Sequence, residues 1–153
     1  MFKDDKMVQG IIAGFIGAVV KDILTIAPEL FKLRPTFWDY GEYLVFRTAN
    51  KSMFAALIGI FVEILFGIFL AIIYNHIKHL IRTKHPLIRG TIFSILIWFI
   101  ISGTIALYNV KTLLIAKSFT PIVNVAIAGI YGLIVAYILD RIEKSNNKRG
   151  AVN

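Results

Sequence analysis

Small and polar residues recur every four positions within long apolar stretches, and this spacing is the dominant pattern of the chain. The second apolar stretch shows it best, with small side chains interrupted by one acid: Ala55, Gly59, Glu63, Gly67 and Ala71. Residues four apart lie on one face of an α-helix. Because small faces let helix backbones approach closely in lipid, the pattern predicts tightly packed transmembrane helices.

The first and fourth stretches repeat this spacing. The first carries Gly10, Gly14, Ala18 and Asp22, and the fourth carries Asn124, Ala128, Gly132, Ala136 and Asp140. We assign helix packing to the glycines Gly10, Gly14, Gly59, Gly67 and Gly132. Since about 20 apolar residues cross a bilayer, the predicted spans are 8–28, 52–77, 90–110 and 120–139, followed by a polar tail over 141–153.

The connection between the first two spans is the longest non-spanning stretch and is rich in aromatic side chains. Thr36 and Asp39 follow Pro35 with the spacing of a capping box. We therefore predict a short interfacial helix over 37–47, and a lid over a substrate is the alternative. The predicted fold class is all-α: a polytopic membrane protein in which a four-transmembrane-helix bundle forms a single membrane domain over 1–153, with the interfacial helix between helices 1 and 2.

Composition agrees with a membrane protein, since 58% of the residues are hydrophobic, 17% are charged and the mean hydropathy is +0.75. The net charge of +8 indicates orientation and contact with anionic lipid. Nucleic-acid binding is not expected, because no soluble region is long enough to form a domain around a basic patch. The expected partner is the lipid bilayer. The absence of cysteine excludes disulfides and cysteine-ligated metals.

The basic residues predict the orientation of the chain. When four spans are threaded through a membrane, ten of the 17 Lys and Arg residues fall on the side of the two termini. Six fall on the opposite side, and Lys21 lies within the first span. Because basic residues are enriched on the cytoplasmic side, we expect a plasma-membrane protein with both termini cytoplasmic.

Four polar residues within the predicted spans are the candidates for function: Lys21, Asp22, Glu63 and Asn124. At about 1.5 Å per residue, Lys21 lies about 20 Å along span one and Glu63 about 16 Å along span two, counted from the same side. These depths permit an ion pair, with Asp22 as a competing partner for Lys21. The cluster His76, His79 and His85 has no acid or cysteine beside it, so neither a metal site nor a cofactor is predicted.

Spans two and four also resemble each other in sequence. Residues 67–77 align with 132–142, which keeps Gly67 with Gly132 and Ala71 with Ala136. Two explanations remain open, a pair of parallel hairpin repeats or convergence on one packing pattern.

An Arg89-Gly90 opening, the run Ile97-Trp98-Phe99 and the glycine- and alanine-containing segment 128–139 stand out in the second half of the chain. Together with the glycine-rich first span and its following Lys21, they resemble uncharacterised small four-span bacterial integral membrane proteins. The resemblance implies a four-span fold. It transfers no functional site, and Glu63 lies outside the shared pattern.

Three functions compete on these patterns. The first is a structural or accessory membrane protein that self-associates through its small-residue faces or binds another membrane protein. The second is a small channel or transporter with a polar path around Glu63, Lys21 and Asn124. An intramembrane enzyme would need a nucleophile and a base, or metal ligands, at one depth. Because the chain shows no such motif, no enzymatic activity and no catalytic residue are predicted, and the first function is favoured.

Overall fold

The structure is a computed structural model, and it describes residues 5–30, 45, 53–81, 83–108 and 120–150. Four helices occupy nearly all of these ranges: α1 (Lys6–Leu30), α2 (Met53–Ile77), α3 (Pro86–Leu107) and α4 (Thr120–Gly150). No strand occurs within the described ranges, and the predicted all-α class is confirmed. Consecutive helices are antiparallel. We call the end where α1 and α3 begin the terminal end, and the opposite end the far end.

Each helix contains a segment that is long and apolar enough to cross a bilayer. These segments are Lys6–Thr25, Leu57–Ile77, Pro86–Leu107 and Pro121–Asn146. The chain is therefore a multi-pass membrane protein, with four candidate spans among the residues described. The predicted interfacial helix over 37–47 lies outside the described residues, apart from Val45, which is helical and exposed.

Two helix bounds lie four residues or more from the ends of the predicted spans. α3 begins at Pro86, four residues before the predicted start at 90, because a proline fits the first helical position and His85 takes an extended conformation before it. α4 continues to Gly150, through most of the predicted polar tail. Along this extension Lys144 forms an ion pair with Asp140 at 2.6 Å. Such pairs four residues apart stabilise an exposed helix.

The first hairpin, formed by α1 and α2, is tightest at Gly14. A Cβ atom on Gly14 would lie 2.8 Å from the Cβ of Ala71 and 3.1 Å from the carbonyl oxygen of Gly67. One turn further along α1, the Cβ of Ala18 lies 2.9 Å from the position that a Cβ on Gly67 would take. The two helix backbones are thus as close as small residues allow.

The second hairpin, formed by α3 and α4, repeats this crossing at the aligned positions. A Cβ on Gly90 would lie 2.5 Å from the Cβ of Ala136 and would overlap the carbonyl oxygen of Gly132. One turn further along α3, the Cβ of Ser94 lies 2.7 Å from the Cβ position of Gly132. The two hairpins therefore cross in the same register. Equivalent helices of the two hairpins also run in the same direction.

The hairpins meet mainly through α1 and α4. Gly17 of α1 makes this approach possible, because a Cβ there would lie 2.8 Å from Val135 Cγ2 and 3.1 Å from Tyr131 Cε2. Phe93 holds the equivalent position in the second hairpin, three residues after Gly90. Its ring packs against that of Tyr74, with centroids 5.2 Å apart. The large side chain separates α2 from α3, whereas Gly17 lets α1 and α4 come together.

Candidate functional site

The predicted polar residues of α1 and α2 lie together towards the far end of the bundle. They are Lys21, Asp22 and Glu63, and we call them the polar cluster. Lys21 precedes Thr25, the last residue of the first span, by about 6 Å along the helix. Glu63 lies about 9 Å inside Leu57, where the second span begins. The cluster is therefore inside the apolar part of both helices.

The register of the first hairpin brings Lys21 to Glu63. Ala18 packs on Gly67, and one turn towards the far end from this contact leads to Lys21 on α1 and Glu63 on α2. Because small residues hold the two backbones close together, the lysine side chain reaches the neighbouring helix. The same small-residue spacing that predicts packing thus also places the charged pair.

The Lys21 ammonium forms an ion pair with Glu63 Oε1. It also lies 3.5 Å from Asp22 Oδ1. The side chains of Lys21 and Glu63 are only 12% and 9% exposed. Removing one partner of such a pair leaves a buried charge without its counter-charge, which costs about 3–5 kcal/mol of folding free energy. The ion pair that the similar depths permit thus joins α1 to α2.

Asp22 is the second buried acid beside Lys21. Neither of its carboxylate oxygens accepts a hydrogen bond within the part of the chain that the structure describes. Thr25, one turn along α1, donates instead to the carbonyl oxygen of Lys21 at 2.9 Å. The polar cluster thus holds two carboxylates against one ammonium.

The structure places Asn124 outside the polar cluster. Gly17 of α1 contacts Tyr131 of α4, and two turns towards the far end from this contact lie Leu24 on α1 and Asn124 on α4. Asn124 is therefore about one turn beyond Lys21. It is 5% exposed, and its Oδ1 accepts no hydrogen bond from any described residue. Asn124 is a separate buried polar group.

The five predicted packing glycines are all buried: Gly10, Gly14, Gly59, Gly67 and Gly132. The first two lie directly against the backbone of α2. A Cβ on Gly10 would come 2.8 Å from the Cα of Ile72, and a Cβ on Gly14 would come 2.6 Å from the Cα of Ile68. Backbone atoms cannot move aside as a flexible side chain can. These glycines therefore set the distance between the helices.

Tyr131 is a linking residue that the four-residue pattern did not single out. Its hydroxyl donates to the carbonyl oxygen of Gly67 at 2.5 Å and thereby ties α4 to α2. A carbonyl oxygen has two lone pairs, so Gly67 can accept this bond in addition to its helical one. The available signal was chemical, because a tyrosine hydroxyl buried in a span needs a hydrogen-bond partner.

Two further links lie at the terminal end and were also missed. The side-chain amide of the fully buried Asn75 donates to the carbonyl oxygen of Lys6 at 2.8 Å, which joins the end of α2 to the start of α1. The Lys78 ammonium forms an ion pair with Glu143. Lys78 and Glu143 hold equivalent positions in the two hairpins, counted from Gly67 and Gly132.

No group of three or more His, Asp or Glu side chains could hold a metal ion within the ranges that the structure describes. The ring of His76 is instead hydrogen-bonded through Nδ1 to the carbonyl oxygen of Ile72 at 2.8 Å. We assign no metal or cofactor ligand.

Comparison with known proteins adds a family but no activity. Residues 5–149 match a model described as a family of unknown function, DUF6789. Searches among curated proteins and among solved structures returned no match. The matched region includes the polar cluster, the two glycine crossings and nearly all of the four helices. The chain therefore belongs to the family of unknown function DUF6789.

Proposed function

We propose that this protein is a structural or accessory protein of the plasma membrane, without enzymatic activity, that supports a second copy of itself or another membrane protein. The observation that carries the proposal is the buried ion pair between Lys21 and Glu63, which joins two helices of the same chain. Charged side chains in a bilayer are costly and persist where they pair or serve a function. Here the pairing of α1 with α2 accounts for the charges.

The packing around the second hairpin supports the same function. The space between α2, α3 and α4 is lined by apolar and aromatic side chains, among them Leu70, Phe93 and Val135, and it has no room for water. A conducting protein needs a wet or polar path along its axis. The absence of room for water in this space favours a supporting role over conduction between α2, α3 and α4.

Liposomes containing the purified protein test this function directly. We expect no flux of protons or monovalent cations above that of empty liposomes, and we expect the Glu63→Gln variant to show a lower Tm than wild type. Wild-type flux that Glu63→Gln abolishes at unchanged Tm would refute the structural function. Lys84→Gln is the matched control, because it changes an exposed charged residue outside the spans.

The second candidate function is a small channel or transporter whose polar path includes Glu63, Lys21 and Asn124. It is favoured by one observation, the buried carboxylate of Asp22 that no described residue hydrogen-bonds. An acid in this setting can carry a proton. If protons pass through the bundle, Asp22→Asn abolishes flux and leaves Tm unchanged. A structural function instead predicts that Asp22→Asn changes no flux.

We propose that self-association uses α3, because the small-residue faces of α1, α2 and α4 contact other helices of the same chain. Only 17% of the α3 span is buried, against 44% for α4. Gly103 lies on the exposed side with no described atom within 4 Å of its Cβ position. An exposed glycine lets a second helix approach closely.

Mass measurement in native lipid should give an oligomer for wild type and a monomer for Gly103→Leu. A wild-type monomer would refute this.

We propose that the terminal end faces the cytoplasm. Support comes from the basic side chains there, among them Lys6, Lys78, Arg89 and Arg141. A single cysteine introduced at Lys84 should react with a membrane-impermeant thiol reagent only after the cells are opened. Labelling of intact cells at this position would reverse the orientation.

A further inference from the structure

A cleft opens at the terminal end, between the start of α3 and the last turns of α4, with a volume of about 540 Å³. Its α3 side is formed by His85, Pro86, Leu87 and Ile88. Its α4 side is formed by Tyr137, Asp140, Arg141 and Lys144. The volume is within the range of small-molecule sites in proteins.

The architecture of the second hairpin explains the cleft. Gly90 is in close contact with Gly132 and Ala136, so four residues towards the terminal end lie Pro86 on α3 and Asp140 on α4. α3 begins at Pro86, whereas α4 continues for more than two further turns to Gly150. The last turns of α4 therefore extend past the start of α3.

The chemistry of the cleft changes from apolar to cationic. Leu87, Ile88 and Tyr137 are 38%, 50% and 46% exposed, although each lies within a candidate span. Arg141 and Lys144 bring two positive charges against the single negative charge of Asp140. Exposed apolar groups beside cationic groups at the end of a span match an amphiphilic ligand at the membrane boundary.

Arg141 is the residue best placed to bind an anion. Its Nε donates to the hydroxyl of Tyr137 at 3.1 Å, and its guanidinium lies 5.1 Å from the centre of that ring. These contacts hold the side chain on the cleft side and use one of its five N–H donors. The remaining donors can bind a phosphate through two parallel hydrogen bonds. Lys144, by contrast, is paired with Asp140.

We propose that this cleft binds the headgroup of an anionic phospholipid, with the phosphate on Arg141 and the acyl chains along the exposed apolar side chains of α3. The positive charge of the cleft selects the lipid. It repels the ammonium of a zwitterionic headgroup, whereas it attracts a headgroup with net negative charge. The exposed apolar side chains of Leu87 and Ile88 favour a lipid over free phosphate. This inference does not depend on the proposed structural function.

Native mass spectrometry of the full-length protein in detergent, with added phosphatidylglycerol or phosphatidylcholine, tests the proposal. We expect wild type to retain phosphatidylglycerol in preference to phosphatidylcholine, and Arg141→Gln to lower the affinity for phosphatidylglycerol about tenfold. Leu87→Glu, which brings an acid into the cleft from the α3 side, should have the same effect. It is an independent variant if Arg141→Gln is not recovered folded.

Lys84→Gln is the matched control, because it removes one positive charge from the same end of the bundle outside the cleft lining. An equal loss in Lys84→Gln and Arg141→Gln would overturn the proposal in favour of a general surface potential. Equal retention of the two lipids would overturn it as well. Displacement of phosphatidylglycerol by millimolar inorganic phosphate would show a site for free phosphate instead of lipid.

Discussion

The two hairpins share one crossing geometry but differ in what they bury beside it. In each, a glycine meets the carbonyl oxygen of a second glycine and the Cβ of an alanine. Counted from these crossings, Lys21 of the first hairpin is equivalent to Ile97 of the second. In the same way, Glu63 is equivalent to Ala128. The first hairpin thus has an ion pair where the second has apolar residues.

This difference separates two contributions to the fold. Because the second hairpin crosses without charges, the small residues are sufficient for the close approach of the helices. The Lys21–Glu63 pair therefore adds a contact that selects one pairing of α1 with α2. Buried polar contacts can fix register in this way, and we take this as their structural part in the bundle.

The largest expected effect comes from filling a glycine contact of the second hairpin. Gly90→Leu forces a side chain into the backbone of α4, which cannot relax, so we expect a loss above about 3 kcal/mol in folding free energy. Gly103→Leu, on the same helix with open space around it within the chain, should leave the Tm of the detergent-solubilised monomer nearly unchanged. Equal Tm values for the two variants would contradict the observed crossing.

A moderate effect is expected where α4 is tied to the first hairpin. Tyr131→Phe removes the hydrogen bond to Gly67 and should lower stability by about 0.6–1.7 kcal/mol. Tyr137→Phe makes the same chemical change at a side chain that is 46% exposed, so its effect on Tm should be smaller. A greater loss in Tyr137→Phe would show that the α4 to α2 bond contributes little.

The smallest effect is expected at the terminal end, where the hairpins meet through Lys78 and Glu143. The Glu143 side chain is 44% exposed, so solvent screens the pair and Lys78→Met should cost about 0.2–1 kcal/mol. Raising the salt concentration should reduce the difference in Tm between wild type and Lys78→Met. A loss as large as that of Gly90→Leu would assign this pair a central part in the fold.

The repeating small residues predicted most of the packing faces, because in lipid the residues that allow close approach are themselves the packing signal. Counting residues along each predicted span placed Lys21 at a depth similar to that of Glu63, because the rise per residue of a helix is constant. Gly90 was treated as the edge of a span, and its contact with Gly132 was missed. The start of α3 at Pro86 depends on a first-turn proline that hydropathy does not register.

The contacts between hairpins could not be predicted from spacing within a helix. The bond from Tyr131 to Gly67 depends on how α2 and α4 face each other. The contact between α2 and α3 depends on the rings of Tyr74 and Phe93, which meet between these helices. Asn124 was grouped with Lys21 and Glu63 only as a polar residue within a predicted span. The register of α4 on α1 puts it about one turn beyond Lys21.

The most direct test of the structural interpretation is a double-mutant cycle on Lys21 and Glu63, with thermal or chemical unfolding in detergent as the measurement. Lys21→Met should cost about 3–5 kcal/mol, because it leaves buried carboxylates without their counter-charge. Glu63→Gln should cost less, because Asp22 Oδ1 still lies 3.5 Å from the Lys21 ammonium. The double variant, whose hairpin is uncharged at these positions like the second hairpin, should regain much of that loss. Additive losses in the double variant, with no coupling between the two sites, would contradict a structural ion pair.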